Sequence, residues 1–109
     1  LFERDGADIY LEVPVTITDA ILGCKKEIPT LYGNIILEIK PGTQNYTKLK
    51  IKGKGIKLPN KIGKGDMYAV INIITPTKLD RKQKALLQDL AKTDLEDASE
   101  FKNFKKYMK

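Results

Sequence analysis

With 109 residues, a formal net charge of +6 from 20 Lys+Arg against 14 Asp+Glu, one cysteine and no histidine, the chain has room for one domain and little equipment for catalysis. The absence of histidine excludes Ser-His-Asp and Cys-His nucleophiles, imidazole metal ligands and the usual neutral-pH proton shuttle. A lone Cys24 excludes an internal disulfide and a multi-cysteine metal site, and the longest apolar stretch, Met67 to Ile74, is far short of the roughly 20 residues that cross a bilayer and holds Asn72; neither a membrane span nor a signal peptide is expected.

In chain order, Ile9, Leu11, Val13 and Val15 alternate with Tyr10, Glu12 and Pro14, which predicts a half-buried strand from Asp8 to Val15. Pro14 pushes its far end toward a sheet edge. Thr18 or Asp19 is placed to cap one or two helical turns through Ala20, Ile21 and Leu22, with Gly23 ending them in a left-handed conformation. Strands over Cys24 to Thr30 and Asn34 to Lys40 flank a tight turn at Tyr32-Gly33-Asn34, whose Gly and Asn tolerate positive φ. Ile35, Leu37 and Ile39 share one face of that hairpin, and Ile36, Glu38 and Lys40 the other.

Pro41-Gly42 marks a turn. Lys48-Leu49-Lys50-Ile51-Lys52 then alternates with Leu49 and Ile51 inward, and Gly53 and Gly55 break or bulge the strand. Pro59 to Gly65 reads as a loop, and Asp66 to Thr75, with little polarity on either face, as a central or doubly covered strand. At Pro76 the apolar period changes from alternating to helical. Asp80 and Gln83 form a candidate capping box for a helix through about Thr93 with Leu86, Leu87, Leu90 and Ala91 as its stripe. After a polar break, Phe101, Phe104, Tyr107 and Met108 repeat on one side of a second short helix, with Lys102, Lys105, Lys106 and Lys109 opposite. The expected class is mainly β: a small β-sandwich-like domain over residues 1–78 with a short internal helix, followed by C-terminal amphipathic helices over 79–109.

Candidate chemistry is thin. Cys24 has Lys25 and Lys26 beside it, which lower a thiol pKa, yet a small half-buried strand residue is the preferred role. Gly53-Lys54-Gly55-Ile56-Lys57 lacks the spacing of a phosphate loop, and Asp94, Glu96, Asp97 and Glu100 lack the calcium-loop pattern. The run Lys48, Lys50, Lys52, Lys54, Lys57, Lys61 and Lys64 raises the alternative of a lysine-rich nucleic-acid-binding module. Only Tyr46 and Tyr68 lie near it for stacking, and arginine occurs only at Arg4 and Arg81. Lys48, Lys50 and Lys52 fall on the outward face of an alternating strand, where lysine keeps an edge soluble.

Four segments, FERDGADIY (Phe2 to Tyr10), IPTLYG (Ile28 to Gly33), GKGIK (Gly53 to Lys57) and GKGD (Gly63 to Asp66), follow one another in an order that resembles the second C-terminal β-domain of the DnaJ family of co-chaperones. The pattern there runs F-x-R-x-G-x-D-L-Y, a proline-threonine-leucine-x-glycine turn, G-K-G, then G-D-L or G-D-M; Tyr32 stands where aspartate is common. The resemblance, which reaches to about Leu90, implies a non-enzymatic co-chaperone segment, excised from a longer cytoplasmic heat-shock protein. Its partners would be unfolded client polypeptides, a second copy of itself and a DnaK-type chaperone engaged through a J-domain that this sequence lacks, with no specific nucleic acid and no membrane. It implies no cofactor here, although a full-length parent can bind zinc. The residues nominated for client contact are Ile28, Leu31, Ile35, Ile36 and Ile56, and for dimerisation Leu86, Leu87, Leu90, Phe101, Phe104, Tyr107 and Met108.

Overall fold

A computed structural model of the chain describes residues 1–59 and 62–108. It divides into two compact units, Leu1–Thr75 and Pro76–Lys109. The first holds β1 (Phe2–Asp5), β2 (Asp8–Thr16), α1 (Ile17–Leu22), β3 (Cys24–Thr30), β4 (Gly33–Ile39), β5 (Lys48–Ile51) and β6 (Met67–Ile74). The second holds α2 (Arg81–Ala91) and α3 (Ser99–Lys105). The protein is thus mainly β, with two sheets and short helices.

The larger sheet runs β1-β2-β6-β5, and β3-β4 forms a separate two-stranded sheet. β2 and β6 pair in parallel from Ile9↔Met67 to Thr16↔Ile74, whereas β1 meets β2 and β5 meets β6 antiparallel. β1 pairs β2 only over Asp8 to Leu11, so Pro14 lies on the stretch of β2 that β1 leaves uncovered, where a missing N–H costs no ladder bond on that side. β6 lies inside the sheet, as its apolar character predicted.

Alternation then decides burial. Ile9, Leu11, Val13 and Val15 of β2 and Met67, Ala69 and Ile71 of β6 face inward and meet Ile28 of β3 and Leu37 and Ile39 of β4 in one cluster, with Ala20 of α1 beside them. Residues from both sheets fill a single core, which is what makes the unit sandwich-like. Ile9, Ile39, Met67 and Ile71 are its largest fully enclosed side chains, and each such burial stabilises the fold by about 2–3 kcal/mol relative to exposure.

Two local expectations shift. α1 is capped by Thr16, whose Oγ1 accepts from the Asp19 amide at 3.1 Å, rather than by Thr18 or Asp19. The hydroxyl at the very end of β2 already reaches the third amide of the helix, so the helix starts as the strand stops. Gly23 ends α1 with φ 81° and ψ 155°, positive but not left-handed helical, and a β-carbon there would sit 2.8 Å from Pro41 Cδ. The hairpin turn is centred on Leu31-Tyr32, one residue earlier than expected, with Thr30↔Gly33 as the closing pair. Thr30 Oγ1 donates to the Gly33 carbonyl at 2.6 Å and accepts from the Tyr32 amide at 3.0 Å, which fixes that register; only Gly33 carries a positive φ, 110°.

In the second unit, α2 opens on the expected box: Asp80 accepts from the Gln83 amide at 2.7 Å and the Gln83 side chain accepts from the Asp80 amide at 2.9 Å. It ends at Ala91, two residues before Thr93. α3 ends at Lys105, so Tyr107 lies in the turn that follows it and Met108 beyond that turn, rather than in the helix itself. Its N-cap, Ala98, has no side chain able to bond the first amides, and seven residues give little propagation to offset that. Lys109 lies outside the described residues. Among the described residues, no helix is long and apolar enough to cross a membrane.

Candidate functional site

The four sequence segments meet at one corner of the first unit. The Ala7 carbonyl accepts from the Ile56 amide at 2.7 Å, Gly55 N–H donates to the Gly65 carbonyl at 2.8 Å, and Gly65 N–H donates back to the Ile56 carbonyl at 3.0 Å. Three backbones approach so closely that glycine is dictated by space: a β-carbon on Gly65 would lie 2.1 Å, and one on Gly55 2.4 Å, from the Ala7 oxygen. Asp8 Oδ1 accepts from the Asp66 amide at 2.7 Å, and Asp66 Oδ1 accepts from the Gly53 amide at 2.9 Å. The fourth segment arrives through Tyr32, whose hydroxyl donates to the Gly55 carbonyl at 2.6 Å. Tyr32 thus spans from the hairpin tip to the glycine corner, with Lys64 Nζ 3.8 Å and Lys54 Nζ 5.8 Å from its ring centroid.

Electrostatics tighten the same corner. The Gly53 amide, followed by the Lys50 ammonium at 3.4 Å, holds the Asp66 carboxyl below the usual carboxylate range despite partial desolvation. Asp66 in turn raises the Lys50 pKa through its hydrogen bond and charge. Cys24 behaves differently from the expectation set by its lysine neighbours: burial pushes its thiol up, the Asp19 charge adds to this, and Lys26 opposes it only in part. It is a packing residue and not an activated nucleophile.

Beside the corner opens a pocket of about 170 Å³ lined by Ala7, Ile56, Leu58, Ile62, Lys64 and its neighbouring glycines. The outer face of the larger sheet carries Tyr10 stacked on Tyr68 at 5.1 Å with Lys48 Nζ over Tyr10. No cluster of carboxylates and thiol that could hold a metal is present among the described residues.

The nominated client residues do not form one surface. Ile28 is 2% exposed and belongs to the core, while Ile35 and Ile56 are half-buried against it. Leu31 at 47% and Ile36 at 62% remain open to solvent, on the turn and the outer face of the hairpin. Of the tail residues, Leu87 is half-buried and Leu86, Leu90, Phe101, Phe104, Tyr107 and Met108 are exposed. Lys61 of the lysine run lies outside the described residues. Sequence reasoning missed the Ala7-Gly55-Gly65 corner and the Tyr32 strut; the recurrence of Gly-Lys-Gly at 53–55 and 63–65 was its only signal.

The family model described as the DnaJ C terminal domain matches residues 1–76, the whole β unit and its glycine corner. The chain belongs to the DnaJ C-terminal domain family. This DnaJ C-terminal domain is 49% identical over 88 residues to the chaperone protein DnaJ of Geobacillus sp. (strain WCH70), covering 81% of the chain and 23% of that relative. It is 43% identical over 107 residues to that of Bacillus velezensis, covering 96% and 28%, and 42% identical over 111 residues to that of Geobacillus thermodenitrificans, covering 99% and 29%. The chain therefore spans about a quarter of the length of these relatives. The family is one of chaperones and not of enzymes.

Proposed function

We propose that the chain serves a DnaJ-type co-chaperone in the cytoplasm by joining two copies through residues 79–109 and by holding unfolded client polypeptide weakly on residues 1–78, for a DnaK-type chaperone engaged through a J-domain of the full-length protein. The observation that carries this reading is the apolar surface of the second unit. Leu86, Leu90, Phe101, Phe104, Tyr107 and Met108 are all exposed, and no residue of α2 or α3 is buried. Covering Phe101, Phe104 and Met108 contributes roughly 2 kcal/mol each, and helices this short are marginal without such cover. A second copy offers the matching surface.

For clients, the two-stranded β3-β4 sheet has no further strand on either edge among the described residues, so an extended segment can add to it by main-chain hydrogen bonds, with Leu31 and Ile36 supplying unselective apolar contact. Pairing two copies then raises avidity without new contacts. Sedimentation of the chain beside a version ending at Thr93 tests the joint: the full chain is expected to be dimeric at tens of micromolar and the shorter one monomeric. Two monomers would refute it. The same pair, added to an aggregating client, should suppress aggregation in the order dimer above monomer, and no suppression by either would remove client binding from this segment.

A further inference from the structure

The larger sheet has an inward and an outward side. Phe2, Leu11, Ala69 and Leu49 form one row across it that packs into the core, so their neighbours along each strand turn outward. In one outward row Glu3 is paired with Tyr10, Tyr10 with Tyr68 and Tyr68 with Lys50; in the next, Glu12 is paired with Val70 and Val70 with Lys48. Asp5, two residues along β1 from Glu3, shares that side, while Arg4 alternates to the other. The outward face is therefore divided by sign. Glu3, Asp5 and Glu12 lie exposed on the β1-β2 half, and Lys48 and Lys50 lie exposed along β5. Between them stand the stacked rings of Tyr10 and Tyr68 and the half-buried Val70. Burial raises the Tyr10 phenol pKa and the Asp5 charge raises it further, which marks the acidic side of the stack.

Within one chain the two halves do little to neutralise each other. Glu3 and Lys50 are three strand spacings apart, about 14 Å, beyond the screening length of about 8 Å at physiological ionic strength. Lys50 meets Asp66 at 3.4 Å, and Lys48 Nζ lies 5.6 Å from the Tyr10 ring centroid, still on the β5 side of the acids. A two-fold axis running along the strands, midway between β2 and β6, lays the acidic half of one copy over the basic half of another, and does so twice. An axis across the strands would set acid on acid, so the charges select one geometry.

We propose that the outward face of the β1-β2-β6-β5 sheet pairs with the same face of a second copy, with Glu3 and Glu12 of each opposite Lys50 and Lys48 of the other and the Tyr10–Tyr68 stacks at the centre. The contact uses no residue of 79–109 and is independent of the joint proposed there. Four strands by four residues cover about 250 Å², against roughly 800 Å² per partner in a stable interface. The contact is accordingly weak, sensitive to salt and formed where copies are concentrated.

Charge exchange on the full chain tests it. Glu3→Lys with Glu12→Lys turns the face basic, and Lys48→Glu turns it acidic. In fluorescence anisotropy at low salt, one labelled variant titrated with the other is expected to bind about tenfold tighter than either binds itself, and high salt should abolish the difference. Every variant carries the same tail, so joining through residues 79–109 is common to all mixtures. Glu27→Lys with Glu38→Lys, exposed positions on the β3-β4 sheet with the same change in net charge, serves as the control and should show no such gain. All the substituted side chains are exposed, and circular dichroism verifies the fold. In the unsubstituted chain at high concentration, added salt should lower the sedimenting mass. A mixed pair no tighter than the self-pairs, a gain that survives high salt, an equal gain with the control, or a sedimenting mass indifferent to salt would each overturn the proposal.

Discussion

Asp66 performs three tasks with one residue: its amide donates to Asp8, its carbonyl accepts from Ile9, and its carboxylate accepts from Gly53 while facing Lys50. Folding lowers its pKa, chiefly through the Gly53 amide. As pH falls, the unfolded chain therefore takes up this proton first, so the carboxylate's contribution is complete above the ordinary aspartate value of about 3.9 and is lost as pH drops through the lower folded value. The stability gap between the chain and Asp66→Asn is expected to be flat from neutral pH down to about 5 and to shrink toward pH 3, as read by urea midpoints across that range. A gap that persists undiminished at pH 3 would show that the carboxylate charge is not what matters. Nothing in the alternation of β6 marks this residue, because its partners come from two distant segments, Asp8-Ile9 and Lys50 to Gly53. The glycines around it were visible as glycines, but the carbonyl of Ala7 that forbids any side chain there was not.

Helices and hairpins are governed by contacts a few residues apart, and here the chain was most legible. The Asp80–Gln83 box is written in four consecutive residues and forms as written. Removing it with Asp80→Ala should cost about 1 kcal/mol of helix stability and lower the helical circular dichroism signal without moving the unfolding midpoint of residues 1–75; an unchanged helical signal would mean that packing of α2, and not its cap, decides whether it forms. The small misreadings at this scale share a cause. Thr16 outcompetes Thr18 because a strand-end hydroxyl lies in reach of the helix's third amide, and Thr30 moves the turn to Leu31-Tyr32 by bonding on both sides of it. Threonine hydroxyls recruited to backbone groups leave no trace in apolar periodicity. The nominated client residues were blurred for a related reason: Ile28 and Ile36 belong to the same hairpin, and only the register says that one is core and the other surface.

Across the molecule, the pairing that closes the sandwich joins β2 to β6 in parallel, with Asp8 and Asp66 58 residues apart locked by a side-chain bond. Strand existence and burial were readable from alternation; this partnership was not, since no local pattern says which strands become neighbours or in which direction. Such long-range pairing slows folding, and refolding of the chain by stopped flow is expected in milliseconds to seconds; microsecond relaxation would mean that β2 and β6 do not need to meet in the rate-limiting step. The same arrangement bears on how the chain is made. A ribosome adding 5–20 residues per second leaves β2 waiting roughly 3–12 s for β6 to emerge, with Ile9, Leu11, Val13 and Val15 lacking their β6 neighbours throughout that interval. The apolar side of β2 is thus open to wrong partners for seconds before the strand that completes its sheet exists.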